Sequence, residues 1–364
     1  MKYLAVLGRQ SEISIAELTA LFSSVKKITP TLAEFDSEKT PDIDRLGGSL
    51  KLAVKLSTSP LDYLRQLDDG KITLGISDYS KNASKKSATL EALKLKKILV
   101  RHGRSVRVVE NHDSALQTAT SLHNGLSGKN PRKIELIKVN TAWYKVIGVQ
   151  NIDAYSRRDQ ARPARDAKVG MLPPKLAQIL INLCGPLTEG STILDPFCGT
   201  GVVLQEAILM GYHAYGTDLS ERMIDYSKKN LEWLTDDTDL FSLSVGDATS
   251  FKWSEKIDAV ACEGYLGRPM SKIPPEIKLK TEKQECSNII LNFLRNLSSQ
   301  IQANTPVVIA IPAWLRADDT YSRLKILDEI ENLGYNVHNK SREGLLYARM
   351  GQIVARDIII LRKN

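Results

Sequence analysis

Residues 195–201 carry the strongest chemical signature of the chain and read Asp-Pro-Phe-Cys-Gly-Thr-Gly. The apolar run 191–194 leads in as a short buried strand, and Val203, Leu204, Ala207 and Ile208 mark one face of a helix that follows. Gly199 and Gly201 let the backbone approach a ligand closely, so strand, turn and helix together make a nucleotide-type pocket. A strand-to-helix turn with incidental glycines is the bland alternative. Two more acids follow expected strands. Asp218 stands about 20 residues beyond the glycine turn, where a carboxylate suits the ribose hydroxyls of a nucleoside cofactor. Asp247, in Gly246-Asp247-Ala248, could accept a hydrogen bond from an adenine amino group; as an isolated Gly-Asp it is only a turn.

The glycine loop resembles the S-adenosylmethionine (SAM) loop of methyltransferases that modify exocyclic amino groups of nucleic acid bases. With SAM as cofactor, Asp195, Phe197, Cys198, Gly199 and Gly201 form the loop contacts, Asp218 takes the ribose, and Asp247 with Ala248 takes the adenine. SAM supplies a strongly electrophilic methyl group, so the chain needs no covalent nucleophile. Its task is to align a weakly nucleophilic amine with the sulfonium. An aromatic amine delocalises its lone pair into the ring, and acceptors on its N–H bonds localise that pair and aim it. Glu263, the carbonyl of Gly264 and the ring of Tyr265 offer two acceptors and a stacking surface directly after the fourth expected strand. A polar loop at the end of a buried strand is the plain alternative.

The elements that must position these residues alternate strand and helix. Strands are expected at 213–217, 241–245, 257–262, 306–311 and 352–361, with a helix from 321 to 333 carrying Leu324, Leu327 and Ile330. Pro173 and Pro174 impose an extended entry to a helix with Leu176, Ile179, Leu180 and Leu183 on one stripe. This alternation predicts a doubly wound α/β sheet with its ligand at the carboxyl ends of the strands.

The net charge of +8 is unevenly placed: residues 1–168 hold 29 Lys/Arg against 18 Asp/Glu, the remainder 21 against 24. A polyanion gripped by the first half and modified by the second is the natural reading, against basic residues that merely solvate a surface. A helix expected at 87–102 sets Lys94, Lys97, Arg101 and Arg104 at spacings of three and four along one face, able to follow a phosphate backbone without reading base sequence. Arg157, Arg158, Arg162 and Arg165 form a second basic cluster that reads as a linker. The four cysteines are widely spaced, with no Cys-x-x-Cys, which argues against a zinc site or a disulfide framework and for a reducing, cytoplasmic setting. No metal site is expected. No apolar run approaches the roughly 18 residues needed to cross a membrane, and 3–7 is too short for a signal sequence.

Over most of its length the chain resembles the THUMP-domain RNA methyltransferases, most closely those making N2-methylguanosine at position 10 of tRNA. Leu7-Gly8 with Ala16-Glu17-Leu18 is similar to the start of the family's ferredoxin-like domain, and 71–150 to its THUMP domain. Residues 157–175 are similar to the linker and first catalytic segment, and Tyr347-Ala348-Arg349 with 352–356 to the C-terminal hairpin. The resemblance implies a Rossmann-like SAM methyltransferase domain at 170–364. Before it would come a smaller α+β module: a ferredoxin-like domain at 1–65, a THUMP-like RNA-binding domain at 66–153 and a basic linker at 154–169. In the fourth motif the family has Asp or Asn, usually two prolines, then an aromatic residue, where this chain has Glu263, Gly264, Tyr265 and Leu266. The acid is one methylene longer, the stiffening prolines are gone, and the aromatic stands one place early.

The expected activity is therefore SAM-dependent transfer of a methyl group to the N2 amine of a guanosine in tRNA. The alternatives are a ribosomal RNA guanine-N2 methyltransferase and a tRNA-binding protein with a decayed catalytic domain. The residues leave open the number of methyl groups added and the need for an activator subunit.

Overall fold

β1 (Lys2–Leu7) opens the chain with five consecutive buried residues, as expected of a strand covered on both faces. The computed structural model describes residues 1–166, 171–341 and 343–364. Its contacts divide the chain into two units, Met1–Ala154 and Tyr155–Asn364. The first holds 24 Lys/Arg against 16 Asp/Glu and the second 26 against 26, so the net positive charge lies in the first unit.

The first unit is built on one mixed sheet. After β1 come β2 (Ser23–Thr29), β3 (Leu32–Asp36), β4 (Ser49–Lys55), β5 (Ile72–Asp78), β6 (Val106–Val108), β7 (Lys133–Val139) and β8 (Ala142–Val149). They pair in the order β2-β3-β1-β4-β8-β7-β5-β6. The helices are α1 (Ser11–Leu21), α2 (Pro60–Arg65), α3 (Lys85–Arg101), α4 (Thr118–His123) and α5 (Ile152–Gln160), the last crossing into the second unit. One apolar cluster gathers Tyr3, Leu18, Phe35 and Leu52; another gathers Leu64, Leu74, Leu95, Leu99 and Leu136. Leu64, on the first-domain side of the boundary expected near residue 65, packs in the second cluster, and the sheet runs on across that boundary through the pairing of β4 with β8. At that seam Lys51 of β4 and Glu135 of β7, both buried, form an ion pair of 2.6 Å.

α3 begins at a reciprocal cap between Ser84 and Ser87. It buries Ala88, Ala92, Leu95 and Leu99, at helical spacing against the sheet.

The second unit has β9 (Thr192–Asp195), β10 (His213–Asp218), β11 (Phe241–Val245), β12 (Ala259–Glu263), β13 (Pro306–Leu315), β14 (Tyr321–Arg323), β15 (Tyr335–Val337), β16 (Leu346–Tyr347) and β17 (Val354–Lys363). Its helices are α6 (Pro174–Leu183), α7 (Val202–Leu209), α8 (Glu221–Leu234), α9 (Glu276–Ser298) and α10 (Leu327–Asn332). The sheet order is β11-β10-β9-β12-β13-β17-β15; β9 to β13 run parallel, and β17 is antiparallel to both β13 and β15. This is the expected doubly wound architecture, with an antiparallel margin. Chain order reverses beside β9, the switch point where such sheets open a ligand crevice.

Two expectations fail here. The segment 321–333 is not one helix: β14 pairs with the end of β13, and only 327–332 is helical. Leu324 and Ile326, two residues apart, both turn into the core, so the apolar period there is that of an extended chain. Residues 154–160 of the presumed linker belong to α5, whose Tyr155 is buried. Positions 167–169 of that linker, and the expected start of the catalytic domain at Gly170, lie outside the described residues. No described helix is long and apolar enough to cross a membrane.

Candidate active site

Four acids stand at the carboxyl ends of four adjacent strands: Asp247 just past β11, Asp218 at the end of β10, Asp195 at the end of β9 and Glu263 at the end of β12. Parallel pairing aligns these ends. The Gly246 N–H bonds the Asp218 carbonyl at 2.9 Å, and the Gly264 N–H bonds the Ala310 carbonyl at 2.9 Å. The acids sense one another: burial, then the charges of Asp218 and Glu263, push the Asp195 carboxyl well above its ordinary value, while the Phe197 N–H pulls it back.

The glycine turn is shaped by both sides of its loop. Gly199 has φ +52°, and a side chain there would meet only the Phe197 carbonyl, at 3.9 Å. That open space above the turn is where a ligand can lie against the backbone. Gly201 has φ +79°, and a Cβ would stand 2.9 Å from Ser227 Oγ of α8. The second glycine is thus needed for packing beneath the loop. Asp218 Oδ2 accepts the Gly199 N–H at 2.9 Å and Oδ1 accepts the Ser220 N–H at 2.9 Å, fixing the carboxylate beside the turn. Each oxygen keeps a second lone pair for a hydroxyl. Asp247 accepts from the Thr249 N–H at 2.9 Å and hydroxyl at 2.7 Å, both through Oδ1.

Three expected cofactor contacts are placed differently. Cys198 is buried below the turn with Sγ 3.7 Å from Ser227 Oγ, and burial pushes its thiol well above the ordinary value. Phe197 packs edge-on against Phe293 at 5.1 Å. Ala248 buries its methyl group in the core and gives its carbonyl to Asn296. The open turn, the fixed Asp218 and the exposed Asp247 suit an adenosine-type cofactor; beside them Cys198 and Ala248 are buried and Phe197 is partly buried.

Glu263, Gly264 and Tyr265 are brought to the same end of the sheet. Arg356 of β17 donates Nε–H to Glu263 Oε1, while Oε2 has no hydrogen bond among the described residues. Burial raises the Glu263 carboxyl above its ordinary value, and Arg356 and then Arg349 draw it down. Tyr265 is half-buried against the core, and its hydroxyl reaches Glu285 at 3.5 Å. Arg356 was missed as a site residue. Its signal was a charge inside the apolar run of the last strand.

The expected RNA contacts separate into two groups. Lys94, Lys97 and Arg101 are exposed on α3, as are Arg157 and Arg165 in the second unit. Arg104 is turned inward: it bonds the carbonyls of Leu67 and Asp68 at 3.0 and 2.6 Å and Asp69 Oδ1 at 3.1 Å. Arg158 grips Glu206 with two hydrogen bonds, of 2.7 and 3.2 Å. Arg162 is buried against Thr200 and Met171. These three hold loops and helices together, so they are withdrawn from the phosphate-facing set. A groove of about 610 Å³ between α3 and the edge strand β6 is lined by Lys85 and Lys96 of α3, Lys71, Arg107 of β6 and Glu110, a grouping that spacing along one helix does not show. Among the described residues no group of three His, Cys, Asp or Glu could hold a metal ion.

Residues 162–282 match the family model described as RMKL-like, methyltransferase domain. The second unit carries a methyltransferase domain. A tRNA (guanine(10)-N2)-dimethyltransferase of Pyrococcus abyssi is 27% identical over 99% of this chain and 99% of its own length. One of Methanothermobacter thermautotrophicus is 32% identical over 43% of this chain, which covers 44% of that relative's length. A stretch of 127 residues is also similar to the type II methyltransferase M.MwoI of Methanothermobacter wolfeii, at 32% identity over 34% of the chain and 19% of that protein.

Proposed function

We propose that the chain is a SAM-dependent methyltransferase that modifies the exocyclic N2 amine of a guanosine in tRNA, with the basic first unit as its RNA-gripping module and the cytoplasm as its setting. The observation that carries this reading is the row of Asp247, Asp218, Asp195 and Glu263 beside an open glycine turn. The first three suit the cofactor, and the fourth faces the reacting amine. The likeness to the Pyrococcus protein supports tRNA as the substrate because it runs over 99% of the chain, whereas that to M.MwoI covers 34%.

In this reading Gly199 lets the cofactor lie on the backbone, Asp218 takes its ribose hydroxyls and Asp247 its adenine amine. The Tyr265 ring stacks on the guanine. Glu263 Oε2 accepts an N2–H bond, which localises the amine lone pair. SAM held there would supply an electrophilic methyl group to the N2 lone pair, with the C–S bonding pair leaving on sulfur, and Glu263 Oε2 would accept the surplus N2 proton.

The test is transfer of labelled methyl from SAM to unmodified tRNA and ribosomal RNA transcripts, with nucleoside analysis of the product. N2-methylguanosine in tRNA is the expected result, and Glu263→Ala should abolish it while cofactor binding persists. Product confined to ribosomal RNA would transfer the reading to that substrate. The Glu-Gly-Tyr-Leu departure of the fourth motif favours a second reading, a tRNA-binding protein with a decayed site. Tight tRNA binding with no methyl transfer to any transcript would establish that one.

A further inference from the structure

We propose that Arg356 is a positioning residue for methyl transfer, which fixes one oxygen of Glu263 so that the other is aimed at the target amine. This rests on the reading of Glu263 as the acceptor for that amine. Glu263 needs such a brace. A glutamate has one more rotatable bond than an aspartate, and Gly264 follows it with no ring to stiffen the chain. Ordering a glutamate side chain costs rotamer entropy, which a fixed partner offsets in advance.

The sheet explains how Arg356 reaches the acid from two strands away. Glu263 of β12 lies beside Ala310 of β13 in the parallel ladder. Arg356 of β17 lies opposite Pro312, two residues further along β13. Residues two apart share a face, so Glu263, Ala310, Pro312 and Arg356 stand on one side of the sheet. On that side of β13 the residue beside Glu263 is the small Ala310. Arg356 is 3% exposed, and its Nε–H ends on Glu263 Oε1. Glu263 Oε2 bonds nothing among the described residues and is the oxygen left to accept an N–H.

The same pair favours the ionised form of the acceptor. Burial raises the Glu263 carboxyl above its ordinary value, and Arg356, then Arg349, offset part of that rise. Asp195 on β9 faces the pair with a carboxyl that burial and the neighbouring acids push up. Removing Arg356 would therefore raise the Glu263 pKa, and a step that needs the carboxylate would lose its activity at a higher pH than before.

The experiment compares Arg356→Met, Arg356→Lys and Glu263→Gln by steady-state methyl transfer to tRNA between pH 5.5 and 9 (an order-of-magnitude window around the usual carboxylate and histidine range). S-adenosylhomocysteine binding by calorimetry serves as the control for folding. Arg356→Met should lower kcat by about a hundredfold, the cost of misplacing a group by about 1 Å. Its KM for tRNA should stay within about threefold, because no ground-state contact is lost. The acid limb of its kcat profile should move to higher pH, Arg356→Lys should recover part of both effects, and Glu263→Gln should lack that limb. If Arg356→Met fails to bind S-adenosylhomocysteine, Arg356→Lys carries the comparison alone, with a reduced kcat and a shifted limb expected. An active wild type beside a folded Arg356 variant with unchanged kcat and unmoved limb overturns the role of Arg356 and leaves the reading of Glu263 standing. A wild type that transfers no methyl group to any transcript overturns both.

Discussion

The Gly199 N–H donates to Asp218 Oδ2 at 2.9 Å, so the acid that ends β10 holds the turn that follows β9. One carboxylate thereby shapes the cofactor loop and stands ready for the ribose. Asp218→Ala removes both roles. A hydrogen bond to a charged group contributes about 1.5–3 kcal/mol, which corresponds to about a 10- to 100-fold loss in affinity for S-adenosylhomocysteine. Isothermal titration calorimetry reads this directly, and a change under about threefold would remove Asp218 from the cofactor site.

The two loop glycines should fail in different ways when each is replaced by alanine. Both carry positive φ, which costs a non-glycine residue about 1–2 kcal/mol. Gly201→Ala adds a Cβ 2.9 Å from Ser227 Oγ and should lower the melting temperature by several degrees. Gly199→Ala projects into open space, so its stability loss should be the backbone cost alone while cofactor affinity falls steeply. Equal melting temperatures paired with equal affinities in the two variants would contradict this division between packing side and ligand side.

Much of this site was legible in the sequence because its parts are local. Residues 195–201 combine a strand end, a turn and a helix start within seven positions, and the strand at 241–245 appears as expected. Side chains whose roles depend on distant partners were not legible. Arg158 looks basic and free until Glu206, 48 residues on, is folded against it. Arg104 carries the same spacing as Lys97 and Arg101, but it lies beyond the end of α3 and turns back to Leu67, Asp68 and Asp69. Arg356 acquires meaning only when β17 is laid antiparallel to β13.

Arg158→Met should destabilise the methyltransferase domain in a pH-dependent way. Glu206 is buried and already has a raised carboxyl pKa, with burial opposed chiefly by Arg158. Without that partner an uncompensated carboxylate remains, a loss of about 3–5 kcal/mol near neutral pH. The sign follows from linkage: only the charged form of Glu206 is penalised, so the penalty is full above its folded pKa and fades as the pH falls through it. Urea unfolding at about pH 7.5 and about pH 5.5 should show the gap between variant and wild type narrowing at the lower pH. A gap that widens would place the defect elsewhere.

Lys51 and Glu135 make the same test possible in the first unit. Lys51 Nζ also bonds the Leu116 carbonyl at 2.8 Å, so the buried pair ties β4 and β7 to the 109–117 loop. Lys51→Met alone should cost about 3–5 kcal/mol, whereas Lys51→Met with Glu135→Leu should recover most of it, because two apolar groups leave no buried charge. Denaturant unfolding of the single and double variants gives the coupling, and a double variant no more stable than the single one would mean that shape, not charge, holds the seam.

The salt dependence of RNA binding separates the exposed cations from the structural ones. Lys94, Lys97 and Arg101 present an exposed row on α3, while Arg104 is spent on three local hydrogen bonds. Each lost phosphate contact lowers the slope of log affinity against log salt by about 0.7–0.9. Lys94→Glu, Lys97→Glu and Arg101→Glu together should therefore flatten that slope by about 2–3 and weaken tRNA binding across unrelated sequences. Arg104→Ala should leave the slope unchanged and lower stability instead. Fluorescence binding at several salt concentrations decides between the two: an unchanged slope in the triple variant would return α3 to an ordinary solvated face, and would turn attention to the groove of Lys71, Lys85, Lys96 and Arg107 beside it.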